Sequence, residues 1–408
     1  MKNLIVAQSG GPTSAINATL AGVIAEAQKS DEIDKIYGSY HGIQGVLEEN
    51  FVDLNQKIDS QDKIDILKRT PAAALGSCRF KLDDPEKDDT QFRKIVDILH
   101  KHNIGYFVYI GGNDSMDTVH KLSVYCEKNG IDDIKVIGGP KTIDNDLCGI
   151  DHCPGFGSAA KYIATVFAEL EQEINVYETK SVIIVEMMGR NAGWLTAAAA
   201  LAENKNGTTP YLIYLEERTF SMGKFIADVK EKLETGNTVL VAVSEGVHDE
   251  TGRYICDIVS NDNTTDVFGH SMLSGTGRVL EDEVKNKIGC KVRSIELNLL
   301  QRCASHIMSE TDINESFNLG KNAVRIALAG ETGRMSSLKR TSSDKYEVEY
   351  CSVDIANVAN LEKKVPDSWI NETGNGVTEE MIKYLSPLVQ GELSCYYNNG
   401  IPEYLLLK

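Results

Sequence analysis

Residues 104–116 read IGYFVYIGGNDSM, the pattern of a buried strand that runs into two glycines and then into polar residues. The glycines allow the backbone to turn sharply, and they let an anion approach the amides without a Cβ in the way. Asn113, Asp114 and Ser115 then supply oxygen atoms suited to helix capping or to a metal ion. A second strand pattern begins at residue 135 and ends in GGPKTIDND, residues 138–146. Ligands bind at the carboxyl ends of parallel strands, so the two segments predict one site.

Length and charge restrict the class of protein. A chain of 408 residues exceeds one typical hydrophobic core, so we expect two domains. The net charge of −18 argues against nucleic acid or an anionic membrane surface as a partner. No apolar run approaches the ~20 residues of a membrane span, and the chain opens into a strand pattern instead of a signal peptide. Its nine cysteines, odd in number and without a Cys-x-x-Cys pair, are typical of reduced thiols in a cytoplasmic protein.

Strand patterns alternate with helical spacing along most of the chain. Residues 4–7 form a short apolar strand pattern, which the turn QSGGPTS at 8–14 follows before helical spacing begins. Apolar runs at 181–185, 211–215 and 239–243 repeat this alternation in the second half. The alternation predicts doubly wound α/β architecture with parallel sheets.

Charged side chains follow several of these strands. Asp144 and Asp146 would face the same way in an extended chain, which suits one carboxylate for proton transfer and one for Mg²⁺. Arg79 follows a Gly-Ser-Cys turn, Arg190 follows the strand pattern at 181–185, and guanidinium groups bind phosphate bidentately. Taken singly, each feature also fits an ordinary turn or a solvated surface residue.

Residues 155–160 read GFGSAA and match the dinucleotide fingerprint G-x-G-x-x-A. The required context fails, because DHCP at 151–154 precedes them instead of a strand. An NAD-dependent dehydrogenase is therefore not supported, since no glycine fingerprint follows a strand with an acidic residue ~20 positions on.

Together these segments resemble the phosphofructokinase family, in the family's order and approximate spacing over most of residues 3–330. The resemblance rests on SGG at 9–11, GSCRF at 76–80, GGNDS at 111–115, PKTIDND at 140–146, VEMMGR at 185–190, Glu245, and QR at 301–302. The combination of residues 142–146 with 188–190 is highly specific, whereas either glycine pair alone is weak.

The resemblance implies two Rossmann-like, doubly wound α/β domains with mostly parallel sheets and an active site in the cleft between them. Residues 1–155 plus about 303–345 would form a domain that binds diphosphate and Mg²⁺. Residues 156–302 would form the domain that binds fructose 6-phosphate, and residues 346–408 a C-terminal extension that packs on both.

Two residues place the chain nearer to the pyrophosphate-dependent branch of that family. ATP-using members carry Gly-Gly-Asp-Gly where this chain has GGND at 111–114, and they commonly lack a lysine at the position of Lys141. A glycine leaves room for the α-phosphate of a nucleotide, whereas the carboxylate of Asp114 would occupy that volume and repel a third phosphate. Lys141 would add a compact cation for the diphosphate. Some ATP-using relatives share the lysine, so Asp114 carries most of the discrimination.

The resemblance also implies roles in catalysis and metal binding. Asp144 would accept the proton of the sugar 1-hydroxyl, and Arg190 would stabilise charge on the transferring phosphoryl group. Asp146 would help to hold the cofactor Mg²⁺. Asn113 stands where many relatives have a metal-linked aspartate, so contact with the metal through water is expected there.

Implied binding residues fall into two groups. The expected diphosphate contacts are Gly11, Arg79, Gly112, Asp114 and Lys141. The expected contacts of fructose 6-phosphate are Thr142, Ile143, Asp144, Met188, Gly189, Arg190, Glu245, Arg293, Leu299, Gln301 and Arg302. Arg302 would bind the 6-phosphate, and Leu299 replaces a histidine of ATP-using relatives. Arg293 would reach the neighbouring subunit's site, which implies a homodimer or homotetramer.

The implied activity is reversible transfer of a phosphoryl group from diphosphate to fructose 6-phosphate, a step of glycolysis and gluconeogenesis. The closest alternative is an ATP-dependent 6-phosphofructokinase. A non-catalytic regulatory or sugar-phosphate-binding subunit of the same fold is another. The presence of Asp144, Asp146 and Arg190 argues against that subunit, which needs no base.

Overall fold

The computed structural model describes residues 1–203, 205, 207–258, 275–342 and 345–407, and its strands and helices alternate along these residues. The strands are β1 (Lys2–Gln8), β2 (Ile33–Ser39), β3 (Phe51–Asp53), β4 (Ile104–Gly111), β5 (Lys135–Pro140), β6 (Ser181–Met187), β7 (Tyr211–Tyr214), β8 (Thr238–Ser244), β9 (Lys291–Glu296), β10 (Met308–Ser309), β11 (Arg334–Ser342), β12 (Glu347–Asp354), β13 (Glu392–Leu393), β14 (Tyr396–Asn398) and β15 (Ile401–Glu403).

Helices connect these strands and cover the sheets. The α-helices are α1 (Ile16–Ala27), α2 (Gly42–Leu47), α3 (Leu54–Lys57), α4 (Gln61–Lys68), α5 (Thr90–Lys101), α6 (Asn113–Lys128), α7 (Phe156–Ile174), α8 (Trp194–Ala197), α9 (Met222–Thr235), α10 (Thr276–Lys287), α11 (Glu310–Leu328) and α12 (Glu379–Leu385). Short 3₁₀ helices lie at Ala198–Leu201, Ile255–Ile258, Asn298–Arg302, Ser305–Ile307, Ile355–Asn357, Asp367–Trp369 and Ser386–Val389.

The larger sheet has the strand order β12-β11-β5-β4-β1-β2-β3. Its inner pairs are parallel, and the edge strands β3 and β12 run antiparallel to their neighbours. Strands β11 and β12 follow α11 in sequence but join the sheet at β5. The predicted domain boundary at about residue 345 therefore falls in the connection between two strands of one sheet, and the division into domains stays a prediction.

The smaller sheet has the order β7-β8-β6-β9, and its three strand pairs are parallel. Strands β6 and β8 are buried along their whole length. Their apolar residues point alternately to two clusters, Val182 and Ile184 to one and Ile183 and Val185 to the other. Strands covered on both faces read as continuous apolar runs, so the predicted α/β fold with mostly parallel sheets is confirmed.

Two features bear on the predicted environment of the protein. All nine cysteines are free. Within the described residues, none of the helices combines the length and the apolar character needed to cross a membrane.

Helices α1 and α11 pack closely on one face of the larger sheet. Glycines make this approach possible, because a Cβ on Gly22 would lie 1.9 Å from the Phe317 carbonyl oxygen. A Cβ on Gly320 would lie 2.0 Å from the carbonyl oxygen of Thr19. Alanine is normally the better helix former, so these two glycines reflect packing between helices and not local preference.

We expect Gly22→Ala or Gly320→Ala to lower the free energy of unfolding by at least ~1–3 kcal/mol, the usual cost of overpacking an interior. Gly223 in α9 is the matched control, because nothing lies within 4 Å of a Cβ there. Gly223 is the second residue of α9, so Gly223→Ala should not destabilise the protein, and any gain should stay below the ~1 kcal/mol typical of a helix interior. Urea unfolding measures the free energy of unfolding of all three variants. Equal stability of Gly22→Ala and Gly223→Ala would contradict the packing described.

Candidate active site

A cleft of about 620 Å³ is lined by the loops that follow strands of both sheets. These loops follow the carboxyl ends of β1, β4 and β5 in the larger sheet and of β6 and β8 in the smaller one. The predicted site residues in its lining are Gly11, Arg79, Gly112, Asn113, Asp114, Lys141, Thr142, Ile143, Asp144, Asp146, Met188, Arg190, Glu245 and Arg302. Segments more than two hundred residues apart are thus brought together by the fold.

Lys141 is the most buried cation in this group of predicted residues, with 2% of its surface exposed. Its Nζ donates a hydrogen bond of 2.6 Å to the carbonyl oxygen of Gly11. Gly10 has φ +77°, and a Cβ there would lie 3.2 Å from the same Nζ. The glycines after β1 therefore make room for the lysine that follows β5.

Arg302 lies beside the same glycine turn. A Cβ on Gly11 would lie 2.6 Å from Arg302 Nη1, so a larger residue there would displace the guanidinium. The Nε of Arg302 is buried, and no described residue accepts a hydrogen bond from it. Burial lowers the pKa of Arg302, and the nearby Arg79 adds to this effect. Buried cations with an unused donor suit a multivalent anion.

Two carboxylates lie in the same cleft as these cations. Burial raises the pKa of Asp144, although Arg190 and Lys141 oppose that change. Burial and the charge of Asp144 raise the pKa of Asp146 to about 7. Burial also lowers the pKa of Lys141 to about 8, against the attraction of Asp144. Burial thus favours the neutral forms of all three groups, and the opposite charges offset that effect only in part.

Asp146 has the features of a metal ligand. Its Oδ1 is buried and receives no hydrogen bond from the described residues, which fits a hard cation such as Mg²⁺. The described part of the chain holds no group of three or more carboxylate, histidine or cysteine side chains arranged around a metal. Mg²⁺ commonly uses one or two carboxylates together with substrate phosphates, so the single buried oxygen fits that mode.

The loop that carries both aspartates is not extended, in contrast to the prediction. Asn145 between them has φ 57°, in the left-handed region, and its side chain is buried. Its Nδ2 donates to the Tyr384 hydroxyl at 2.9 Å, and its Oδ1 accepts from the Cys153 amide at 2.9 Å. Side-chain hydrogen bonds therefore fix a turn, and both aspartates line the cleft from it.

Asn113 begins α6 and contacts a part of the chain that sequence reasoning passed over. Its Nδ2 donates to the Leu361 carbonyl oxygen at 2.6 Å, and its Oδ1 accepts from the Asn360 amide at 2.7 Å. We call residues 360–363 the strap. Both ends of the Asn113 amide are thus used by the strap, which fits contact with a metal through water better than direct ligation.

Strap residues Asn360, Leu361 and Glu362 also line the cleft. The sequence signal for the strap is weak, a short polar run NLEKK between Val358–Ala359 and Val365, which are buried. Such a run normally predicts an exposed loop. The remaining lining residues outside the predicted set are Ser9, Gly10, Pro12, Thr13, Cys78, Phe80, Lys81, Tyr109, Ser115, Thr118, Asn191 and Ala192.

The loop after β6 shapes the other side of the cleft. Gly189 has φ +118°, and its amide donates to Glu245 Oε1 at 3.3 Å. Its carbonyl oxygen accepts from the Ser244 hydroxyl at 2.7 Å. Burial, followed by the charge of Asp144, raises the pKa of Glu245 to about 8. The glycine conformation therefore holds Met188 and Arg190 on the cleft wall.

Four predicted sugar-phosphate contacts do not line this cleft. Gly189 is buried. Arg293 is exposed on β9, and Leu299 is 57% exposed. Gln301 is 2% exposed and donates to the Asn298 carbonyl oxygen at 3.1 Å. The assignments of these four residues stay predictions. The contact of Arg302 with the 6-phosphate also stays a prediction, because Arg302 lies beside Gly11, which is a predicted diphosphate contact.

Comparison with known proteins agrees with this geometry. The model of the family described as phosphofructokinase matches residues 3–327. A protein of Halomonas elongata named pyrophosphate–fructose 6-phosphate 1-phosphotransferase is 40% identical over 404 residues, 98% of this chain and 95% of that protein. One of the same name from Methylococcus capsulatus is 39% identical over 409 residues, 100% of this chain and 96% of the relative.

Solved structures give the same result. The crystal structure of a pyrophosphate-dependent phosphofructokinase from Nitrosospira multiformis has a TM-score of 0.89 and 37% sequence identity to this chain. The match covers 100% of this chain and 96% of that one. A similar structure from Marinobacter aquaeolei has a TM-score of 0.87 at 37% identity, and it covers 99% of this chain and 96% of that one. The chain therefore belongs to the phosphofructokinase family.

Proposed function

We propose that the chain is a pyrophosphate-dependent 6-phosphofructokinase. It transfers a phosphoryl group from diphosphate to the 1-hydroxyl of D-fructose 6-phosphate and releases fructose 1,6-bisphosphate and phosphate, reversibly, in glycolysis and gluconeogenesis. The observation that carries the donor assignment is the presence of Asp114, in the first turn of α6, in the same cleft as the buried Lys141. The names of the relatives at 39–40% identity support it.

Donor binding follows from charge and space. Diphosphate is small and strongly anionic, and Lys141 and Arg79 line the cleft together with the glycine turn after β1. Arg302 would bind the 6-phosphate of the sugar. The Gly11 amide in the glycine turn after β1 suits a phosphate oxygen. The carboxylate of Asp114 lines the same cleft, so a third phosphate would meet both bulk and like charge.

Phosphoryl transfer needs a base for the nucleophile and cations for the equatorial oxygens. Asp144 takes the proton from the 1-hydroxyl as the new oxygen–phosphorus bond forms and the bridging bond of diphosphate breaks. Its raised pKa makes it a stronger base than an ordinary aspartate. Arg190 stabilises the transferring group, and phosphate leaves with the electrons of the broken bond.

Asp146 would hold Mg²⁺ through its buried Oδ1, with Asn113 in contact through water. When bound, the ion would neutralise charge on the phosphate oxygens. Met188 and Glu245, which line the cleft, would contact the sugar.

We further propose a cytoplasmic homodimer or homotetramer. The free state of all nine cysteines supports the compartment. Exposed Arg293, outside the cleft of its own chain, supports a contribution to a neighbouring subunit's site. Leu299 and Leu300, both 57% exposed, offer apolar surface near that strand.

A donor assay with fructose 6-phosphate and Mg²⁺ tests the proposed function. We expect the purified protein to use diphosphate at least ~100-fold better than ATP, because a like-charge contact costs several kcal/mol. Asp114→Gly should weaken diphosphate use and admit ATP. Asp114→Asn keeps the volume without the charge, so it separates steric from electrostatic exclusion. Preference of the unaltered protein for ATP would establish the ATP-dependent alternative.

Asp144→Ser removes the proposed base. We expect the kcat with diphosphate to fall ~10²–10⁴-fold, the usual contribution of general-base catalysis, with both KM values nearly unchanged. Asp31→Ser, at an exposed position before β2, is the matched control and should keep full activity. Near-normal turnover of the Asp144 variant would remove this residue from the mechanism. Absence of turnover by the unaltered protein with either donor, despite binding, would favour a non-catalytic subunit.

Lys141→Arg tests the electrostatics of donor binding. In the unaltered enzyme, kcat/KM for diphosphate should fall above pH ~8, because Lys141, whose pKa is about 8, loses its charge there. It should also fall at lower pH, because protonation of Asp146, whose pKa burial raises, competes with binding of Mg²⁺. A guanidinium stays charged, so the variant should lose the alkaline limb and keep the acid limb. The pH profiles of the variant and the unaltered enzyme are compared at the same diphosphate and Mg²⁺ concentrations, so ionisation of diphosphate affects both profiles equally. An unchanged alkaline limb would contradict the role of Lys141.

A further inference from the structure

The strap crosses the cleft and contacts both of its sides. At one end the Asn360 Nδ2 donates to Asp117 Oδ1 on α6 at 2.9 Å, in addition to the contacts with Asn113. At the other end Glu362 Oε1 accepts from Asn191 Nδ2 at 2.6 Å, in the loop after β6. At Glu362 and Lys363 the strap also pairs with the loop that carries the two aspartates.

Lys363 pairs with the aspartate loop through its backbone. Its amide donates to the Asp146 carbonyl oxygen at 2.7 Å, and Glu362 forms an antiparallel bridge with Leu147. Its own carbonyl oxygen accepts from Trp194 Nε1 at 2.9 Å. The strap is thus held on the aspartate loop on one side and on α8 on the other.

The ammonium group of Lys363 reaches past this pairing into the interior of the loop. It donates to the Asp151 carbonyl oxygen at 2.8 Å, to the Ile150 carbonyl oxygen at 3.2 Å and to Asn145 Oδ1 at 3.4 Å. An ammonium has three donors, so all three are used, and each acceptor is an uncharged oxygen. Asn145 is the residue whose left-handed conformation separates Asp144 from Asp146.

Burying a cation among carbonyl groups costs solvation free energy. A neutral side chain would anchor the loop without that cost. The three hydrogen bonds of the Lys363 ammonium group fix the turn from its interior. A turn held in this way keeps its two aspartates at fixed positions before substrate arrives, and small displacements of catalytic groups cost up to ~10²-fold in rate.

We propose that Lys363 is a positioning residue for phosphoryl transfer, which holds the 144–151 loop so that Asp144 and Asp146 face the cleft. The strap extends this restraint to α6 through Asn113 and to the Arg190 loop through Asn191. The proposal rests on the proposed function for the identity of the reaction, and on the contacts of the strap alone for the restraint on the loop.

Lys363→Met tests the proposal, because methionine keeps the apolar stem and removes the three donors. We expect kcat to fall ~10–10²-fold while the KM values for both substrates stay within about threefold. Hydrogen exchange of the peptide spanning 141–155 should become faster, and exchange in β8 should not change. Lys364→Met, at the neighbouring exposed lysine, is the matched control and should behave like the unaltered protein.

The proposal is overturned if Lys363→Met unfolds more easily yet turns over within threefold of the Lys364→Met control. Should Lys363→Met not fold, Asn360→Gly decides, because Asn360 has φ 60° and glycine fits there without strain. That variant removes the bond to Asp117 and should lower kcat in the same direction, with unchanged KM. Unchanged kcat in Asn360→Gly would then overturn the proposal. A failure of the proposed function would appear separately, as absent turnover by the unaltered protein while the exchange difference persists.

Discussion

The hydrogen bond from the Lys141 ammonium to the Gly11 carbonyl oxygen joins the loop after β5 to the loop after β1 inside the cleft. An ammonium in this position needs partners, because burial of an unpaired charge is costly. Asp144 supplies the opposing charge and Gly10 supplies the space. Parallel packing of β1, β4 and β5 is what brings these residues within reach. The part of the cleft that we propose binds diphosphate is therefore formed by the order of the parallel strands in the sheet.

The charged groups and the strap together bear on which anion the cleft would bind. In the proposed function the cations near Gly11 would attract a multivalent anion, and Asp114 in the same cleft would limit the size of that anion. The strap adds a wall from the C-terminal part of the chain and occupies both ends of the Asn113 amide. Residues 346–408, which the sequence predicted to be a C-terminal extension packing on both domains, thus also contribute to the lining of the cleft.

Much of the site could be predicted because its residues lie at strand ends, where α/β folds bind ligands. Lys141, Asp144 and Arg190 were placed in this way, and the structure puts them in one cleft. The left-handed turn at Asn145 was not predictable, because asparagine alone does not specify that conformation and the bonds that fix it come from Tyr384 and Cys153. The strap was missed for a similar reason, since its polar residues are paired only in the folded chain.

The central claim is that the cleft accepts two linked phosphates and excludes a nucleotide. A crystal structure with Mg²⁺, fructose 6-phosphate and the inert diphosphate analogue methylenediphosphonate tests it most directly, beside a matched crystal soaked with ATP. We predict that the analogue lies against the glycine turn after β1 and beside Lys141, with the sugar 1-hydroxyl at Asp144, and that the second crystal shows no ordered nucleotide. Three ordered phosphates of ATP, with adenosine lying past Asp114, would contradict the account.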